Sequence, residues 1–253
     1  MRENAKVGSA LWFFRDEFDH WPERQVAEAL SPVQNKIGQV LSNPLVRNVL
    51  SQWRPSFDLD VVLKKRQVLL VRLPKGQVGA DPANLLGSLL VAGILQAAMR
   101  RDRPEDRVPF HLYIDEFQNF TTDAFASILS EARKYALTLT VGHQYFDQLL
   151  PSVRAAVLGN VGSLISFRVG ADDSDILARE LGDVSPQALR DLVRGEVFVR
   201  LSDDITVNQA FRGKTKGNLN GFGNSGKARA KSRRAYGRDS AKGEDNIRHW
   251  LCS

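Results

Sequence analysis

The chain has 253 residues, enough for one large domain with a tail, and 43% of them are apolar, which excludes wholesale disorder. Its single cysteine, Cys252, excludes a disulfide framework and a cysteine zinc site, so a reducing cytosol is the expected compartment. The net charge of +6 hides an asymmetry: residues 212–253 carry +8, leaving −2 for residues 1–211.

Met1 to Lys6 is polar and charged and does not read as a secretory signal. Leu11-Trp12-Phe13-Phe14, Phe18 and Trp21 then place aromatic residues at helical spacing until Pro22 interrupts. Ser31-Pro32 predicts the cap and first turn of a helix over Val33 to Leu41, with Val33, Ile37, Val40 and Leu41 on its apolar face. A short helix is predicted from Pro44 to Leu50. Val68 to Leu73 is a continuous apolar run, the pattern of a parallel strand covered on both faces. The loop Pro74 to Gly79 ends it, and Lys75 there either meets phosphate or is simply solvated. Asp81-Pro82 opens a long helix to Met99, followed by Arg100-Arg101, which complement its dipole. Ala83 to Met99 is the most apolar stretch, but it is short for a membrane span and contains Gly87, Gly93 and Gln96, so it reads as a helix packed on a sheet.

The run His111 to Ile114 ends abruptly in Asp115-Glu116. A buried strand that delivers two carboxylates to its C-terminal tip matches a Walker B strand. There the first acid holds the magnesium of a nucleotide, usually through water, and the second orients or deprotonates the attacking water. An ordinary strand end with solvated or helix-capping acids has the same pattern. A helix from Ala124 to Tyr135 and a strand from Leu137 to Val141 follow, and the strand ends in Gly142-His143-Gln144. Gln144 is therefore the candidate to sense the γ-phosphate or hold the water. Further on, the pattern predicts a helix from Phe146 to Leu158 and a strand from Val161 to Val169. Asp172 or Asp173 caps a helix from Ile176 to Leu181 that Gly182 ends, and Ser185-Pro186 opens another to Val193. Glu196 to Leu201 and Ile205 to Ala210 read as an edge hairpin. Strands alternating with helices put the fold in the α/β class, with a mainly parallel sheet flanked by helices.

From Arg212 to Arg238 there are nine cations and no acid, set among Gly, Asn and Ser. Such a stretch builds no core and reads as a disordered, flexible basic arm that attracts phosphate, or as a solvated linker. Its nucleic-acid-binding candidates are Arg212, Lys214, Lys216, Lys227, Arg229, Lys231, Arg233, Arg234 and Arg238.

This order resembles the DNA-pumping ATPases of the FtsK and HerA superfamily, most closely the conjugative coupling proteins of the TraD and TraG type and their type IV secretion relatives. The residues that carry the resemblance are Asp115-Glu116, Glu131-Ala132-Arg133-Lys134-Tyr135 with Leu137-Thr138-Leu139-Thr140, and Phe167-Arg168-Val169 followed by Asp172-Asp173 and Leu177 to Leu181. The resemblance implies a RecA-like fold that works with ATP and Mg2+. Arg133 would be an arginine finger on a neighbouring subunit's nucleotide, with Arg168 as a second candidate. Residues 1–60 would belong to an inserted helical subdomain, 61–211 to half of the ATPase core with its Walker B strand, and 212–253 to the tail. The implied partners are DNA, type IV secretion components, and either a chain bearing the Walker A loop or the other subunits of a homo-hexamer. The implied location is cytoplasmic, at the inner face of the membrane through partners.

A loop of the form G-x-x-x-x-G-K-[ST] does not occur ahead of Asp115. Gly213-Lys214-Thr215 lacks the leading glycine, since Asn208 stands there, and the run from Gly221 to Lys227 ends in Ala228, which cannot ligate magnesium. Three readings follow. One is a motor half that lacks its P-loop and is inactive alone. Another is a non-hydrolysing remnant that binds DNA or a secretion complex. The third is a metal-dependent nuclease using Asp115, Glu116 and Asp172 or Asp173. In the first, a P-loop strand belongs between Leu137–Val141 and Val161–Val169, and that slot is expected to stay open.

Overall fold

The computed structural model describes residues 17–52, 54–101, 103–121, 123–202, 209–217 and 223–251. The aromatic run Leu11 to Phe14, residues 205–208 of the expected hairpin, and Gly221 lie outside them. In chain order the elements are α1 (Glu23–Ser42), α2 (Pro44–Leu50), α3 (Leu59–Lys64), α4 (Lys75–Val78), α5 (Ala80–Met99), β1 (Phe110–Ile114), α6 (Asp123–Glu131), β2 (Leu137–Val141), α7 (Pro151–Asn160), β3 (Leu164–Ser166), α8 (Ala171–Leu181), α9 (Pro186–Arg190), β4 (Glu196–Arg200), β5 (Phe211–Lys214), α10 (Ser225–Tyr236) and α11 (Ser240–Leu251).

The chain divides into two compact units, one of Met1–Arg54, Pro74–Ala83 and Asp239–Ser253, the other of Pro55–Leu73 and Asn84–Arg238. In the first, α1 starts directly after Pro22 and runs through Pro32 rather than beginning there. Proline inside a helix removes one hydrogen bond, and the remaining ladder carries the helix across it. The side chains of Val33, Ile37, Val40 and Leu41, expected to form its apolar face, lie outside those described. Asn43 caps α2, its Oδ1 accepting the N–H groups of Leu45 at 2.9 Å and Val46 at 3.3 Å. Arg47 on α2 meets Glu244 on α11 at 3.5 Å.

The second unit holds the main core. Leu63 of α3, Val91, Ile94, Leu95, Ala97 and Ala98 of α5, Phe117, Val153, Leu189 and Leu192 are buried together. α5 is long and apolar enough to cross a membrane by length and composition, yet this face of it is spent on the core. Gly87 on α5 sits against the Phe120 ring, where a Cβ would come within 2.2 Å of Cε1. Arg100 closes onto Asp60 of α3 at 2.8 Å. Arg101 turns its guanidinium onto the carbonyls of Val108, at 2.6 Å, and Tyr135. Arg107 donates to Lys134 O at 2.9 Å and lies over the Tyr135 ring, so two arginines pin the turn that enters β2.

The sheet resolves into two parts. β1 and β2 are parallel, Phe110 opposite Leu137 and Ile114 opposite Val141, while β3, β4 and β5 form an antiparallel trio in that order. Among the described residues β2 is hydrogen-bonded only to β1, and β3 only to β4.

Three expectations are corrected here. Val68 to Leu73 joins no ladder: Leu69 packs on the core, while Val68 and Leu70 are 86% and 87% exposed. Alternation of an extended chain puts Leu69 on one face and its neighbours on the other, and here only one face has a cover. Beside β3, β4 pairs with Phe211–Lys214, while residues 205–208 of the expected second hairpin strand lie outside those described. Residues 212–253 are accordingly not an irregular, disordered arm, because their described part supplies β5, α10 and α11. Alanine, lysine and arginine are strong helix formers, and Asn224 caps α10 by accepting the Lys227 N–H at 3.0 Å. Of the remaining helices, α8 begins at Ala171, with Asp172 and Asp173 inside its first turn rather than ahead of it.

Candidate functional site

Because β1 and β2 are parallel and in register, their C-terminal ends lie side by side, and the chain leaves both on the same side of the sheet. Asp115 follows β1 and is exposed, and its Oδ1 accepts the Glu116 N–H at 3.0 Å. Glu116 takes the left-handed conformation, φ 48° and ψ 47°. For a residue with a Cβ this costs about 1–2 kcal/mol. Arg66 and Ala136 share that conformation at other turns, so the backbone angle does not by itself mark a site. Two backbone bonds tie the strand ends together: Gly142 N–H to Ile114 O at 2.9 Å and Phe117 N–H to Gly142 O at 3.0 Å. A Cβ at Gly142 would lie 3.4 Å from Asp115 Oδ1, in ordinary contact, so Gly142 adjoins the carboxylate.

Within this frame Gln144 donates from Nε2 to Glu116 Oε1 at 3.3 Å. Asn119, on the 3-10 turn Phe117–Asn119, donates from Nδ2 to the Glu116 carbonyl at 2.8 Å and to Oε2 at 3.4 Å. Both oxygens of the Glu116 carboxylate are thus held by side-chain amides, which fix its direction. The His143 ring packs against Phe117 and Phe146, with centroids 5.4 Å and 4.8 Å away. Burial lowers the His143 pKa below its ordinary value, although a backbone hydrogen bond with Tyr145 and the charge of Asp173 act the other way. Asp173 is buried and accepts the Phe146 N–H with both oxygens at 3.4 Å. It therefore anchors the turn after Gln144 and does not join Asp115 and Glu116. Among the described residues no three or more His, Cys, Asp or Glu side chains converge as a metal cage.

Other candidates are dispersed. Arg133 is exposed on the 3-10 turn Ala132–Tyr135, ahead of β2. A strand rises about 3.3 Å per residue, so the five residues of β2 put this end about 13 Å from the tip that leads to Gln144. Arg168 is exposed after β3. Lys75 opens α4, in the smaller unit. Of the basic set, Arg212 is paired with Glu196 across β4 and β5, a contact that holds the Glu196 carboxyl below its usual range. Lys214 ends β5, Lys216 follows it, and Lys227, Arg229, Lys231, Arg233 and Arg234 lie on α10. Arg238 donates to Ser56 Oγ at 3.4 Å.

Asn119 and His143 were not singled out from the sequence, and Asp173 was, but as a helix cap or nuclease acid rather than as the partner of Phe146. The first stands three residues after Glu116, a spacing that a tight turn brings back on itself. His143 adjoins Gln144 in the strand-tip tripeptide. For Asp173, 27 residues from Phe146, the sequence carries no local signal.

No family model matches the chain, and no curated protein does. Solved structures do. The chain is similar to the bacterial conjugative coupling protein TrwBdeltaN70 in its unbound monoclinic form, 18% identical over 55% of this chain and 38% of that one, with a TM-score of 0.47. It is similar to VirB4 of Thermoanaerobacter pseudethanolicus, 19% identical over the same shares, 55% and 38%, with a TM-score of 0.40. The genome packaging NTPase B204 of Sulfolobus turreted icosahedral virus 2, in complex with AMPPCP, is 14% identical over 65% of this chain and 74% of that one, TM-score 0.45. These likenesses are of fold, and the chain spans only 38% of the length of the coupling protein and of VirB4.

Proposed function

We propose that these residues are the Walker B-bearing part of a DNA-translocating ATPase of the conjugative coupling and type IV secretion kind, completed by a P-loop outside them. The observation that supports this most is the pairing of Glu116 with Gln144: an acid at one strand tip, held by an amide at the next. In this reading Glu116 orients and deprotonates the attacking water, and Gln144 reports the γ-phosphate to it. Asn119 keeps the carboxylate pointed outward. Asp115 is the residue that would hold Mg2+. One exposed carboxylate without a protein cage suits that ion, which keeps several waters and takes its other ligands from phosphate. The bound Mg2+·ATP would supply the electrophilic phosphorus and neutralise charge developing on the phosphate oxygens.

Arg133, at the far end of β2, is too distant to serve the same nucleotide and is proposed to act on a neighbouring subunit's. Arg168 is the second candidate for that role, and Lys75 for a phosphate contact. The basic segment would hold DNA, and partners would bring the assembly to the inner face of the membrane. Asp173, committed to Phe146, weighs against the nuclease alternative.

The test is reconstitution with the segment that carries the P-loop. DNA-stimulated hydrolysis should appear and fall by about 10²- to 10⁴-fold in Glu116→Gln. Arg133→Ala should act only through mixed oligomers, poisoning wild-type neighbours. Equal activity of wild type and Glu116→Gln would refute the assignment of the base.

A further inference from the structure

We infer that α10 seats in the major groove of duplex nucleic acid, with one cationic stripe against each phosphate wall. The inference rests on the reading of the basic segment as a phosphate-binding one and adds its geometry. All twelve residues of α10 are exposed, none is acidic, and five are Lys or Arg. At 100° per residue, Lys227, Lys231 and Arg234 fall within about 60° of arc, Arg229 and Arg233 within about 40°, and the two stripes are centred about 150° apart. Such spacing repels within each stripe, at four residues' separation, so the isolated helix is strained by its own charge. An anion on both sides relieves it.

Shape selects among anions. A helix with its side chains is about 10–12 Å across and the major groove about 12 Å wide, so stripes on opposite flanks meet both backbones at once. A single strand offers one backbone, and an acidic lipid surface is a plane; either engages one stripe and leaves the other in water. Tyr236, at the end of α10 and on the wider arc between the stripes, meets the Phe57 ring edge-on at 6.2 Å, and the narrower arc is exposed along its length. That arc holds Gly226 and Ala230, which permit close approach to base edges and offer them no hydrogen-bonding side chain. Binding is therefore duplex-selective and indifferent to sequence.

The experiment compares full-length chain and two variants, Lys227→Gln/Lys231→Gln/Arg234→Gln and Arg229→Gln/Arg233→Gln, by fluorescence anisotropy on a short duplex, the matching single strand, and phosphatidylserine vesicles. Glutamine keeps the helix propensity, and circular dichroism verifies that the fold is retained. On the duplex, each variant should bind more weakly, and the slope of log affinity against log salt should fall by about 2.7 and about 1.8 respectively. On the single strand and the vesicles the loss should be confined to one of the two. Duplex binding that ignores the Arg229/Arg233 pair, or vesicles bound more tightly than duplex, overturns the groove seating. Unchanged duplex affinity with all five neutralised overturns the phosphate-binding reading itself.

Discussion

Glu116 pays for its position with a left-handed backbone, and the side-chain amides of Gln144 and Asn119 are what hold the carboxylate there. Glu116→Gly should remove the strain and raise the stability in denaturant melts by up to about 1 kcal/mol, while abolishing the carboxylate. A destabilised variant would mean that the amide contacts outweigh the strain. His143 gives a second handle. Its folded pKa is depressed by burial, so the unfolded chain binds the proton more readily, and stability rises with pH through this window. The contribution is complete above about pH 6.5 and is lost progressively as the pH falls below it. Thermal melts at pH 7.5 and 5.5 should therefore separate for the wild type and converge in His143→Phe. Of the residues the sequence marks by their chemistry, Asp115, Glu116 and Gln144 stand at adjacent strand tips. Asp173 reads in the sequence as a helix cap or nuclease acid, because the role it takes, accepting the Phe146 N–H, exists only once two distant segments are packed.

At the scale of elements, α2 and β2 were legible to the residue because their punctuation is local: Asn43-Pro44 at one, Gly142 at the other. Val68 to Leu73 was not, since an apolar run reads the same whether one face is covered or two. Nor was the helicity of the basic segment, because charge predicts solvation and says nothing against a helix of Ala, Lys and Arg. The uncovered face makes its own prediction. Substituting Val68 and Leu70 by Thr should leave the melting free energy within about 0.5 kcal/mol of wild type, as for other surface changes, and reduce self-association in sedimentation. A large loss of stability would show that those side chains are covered in solution. Because β5 begins at Phe211, truncation at residue 212 would remove a sheet strand, so neutralisation is the cleaner way to probe the basic segment.

At the scale of the molecule, the α/β class was evident from alternation, but its division into a parallel pair and an antiparallel trio was not, since strand pairing is decided by packing far along the chain. Among the described residues β2 is hydrogen-bonded only to β1 and β3 only to β4, which is compatible with a further strand adding at either edge. The central claim is that these residues supply the carboxylate and amide of a motor but not its phosphate cradle. The most direct measurement is steady-state ATP hydrolysis by the purified chain alone, with Glu116→Gln beside it. Turnover indistinguishable from background in both is the predicted result; steady turnover that disappears in Glu116→Gln would contradict the account.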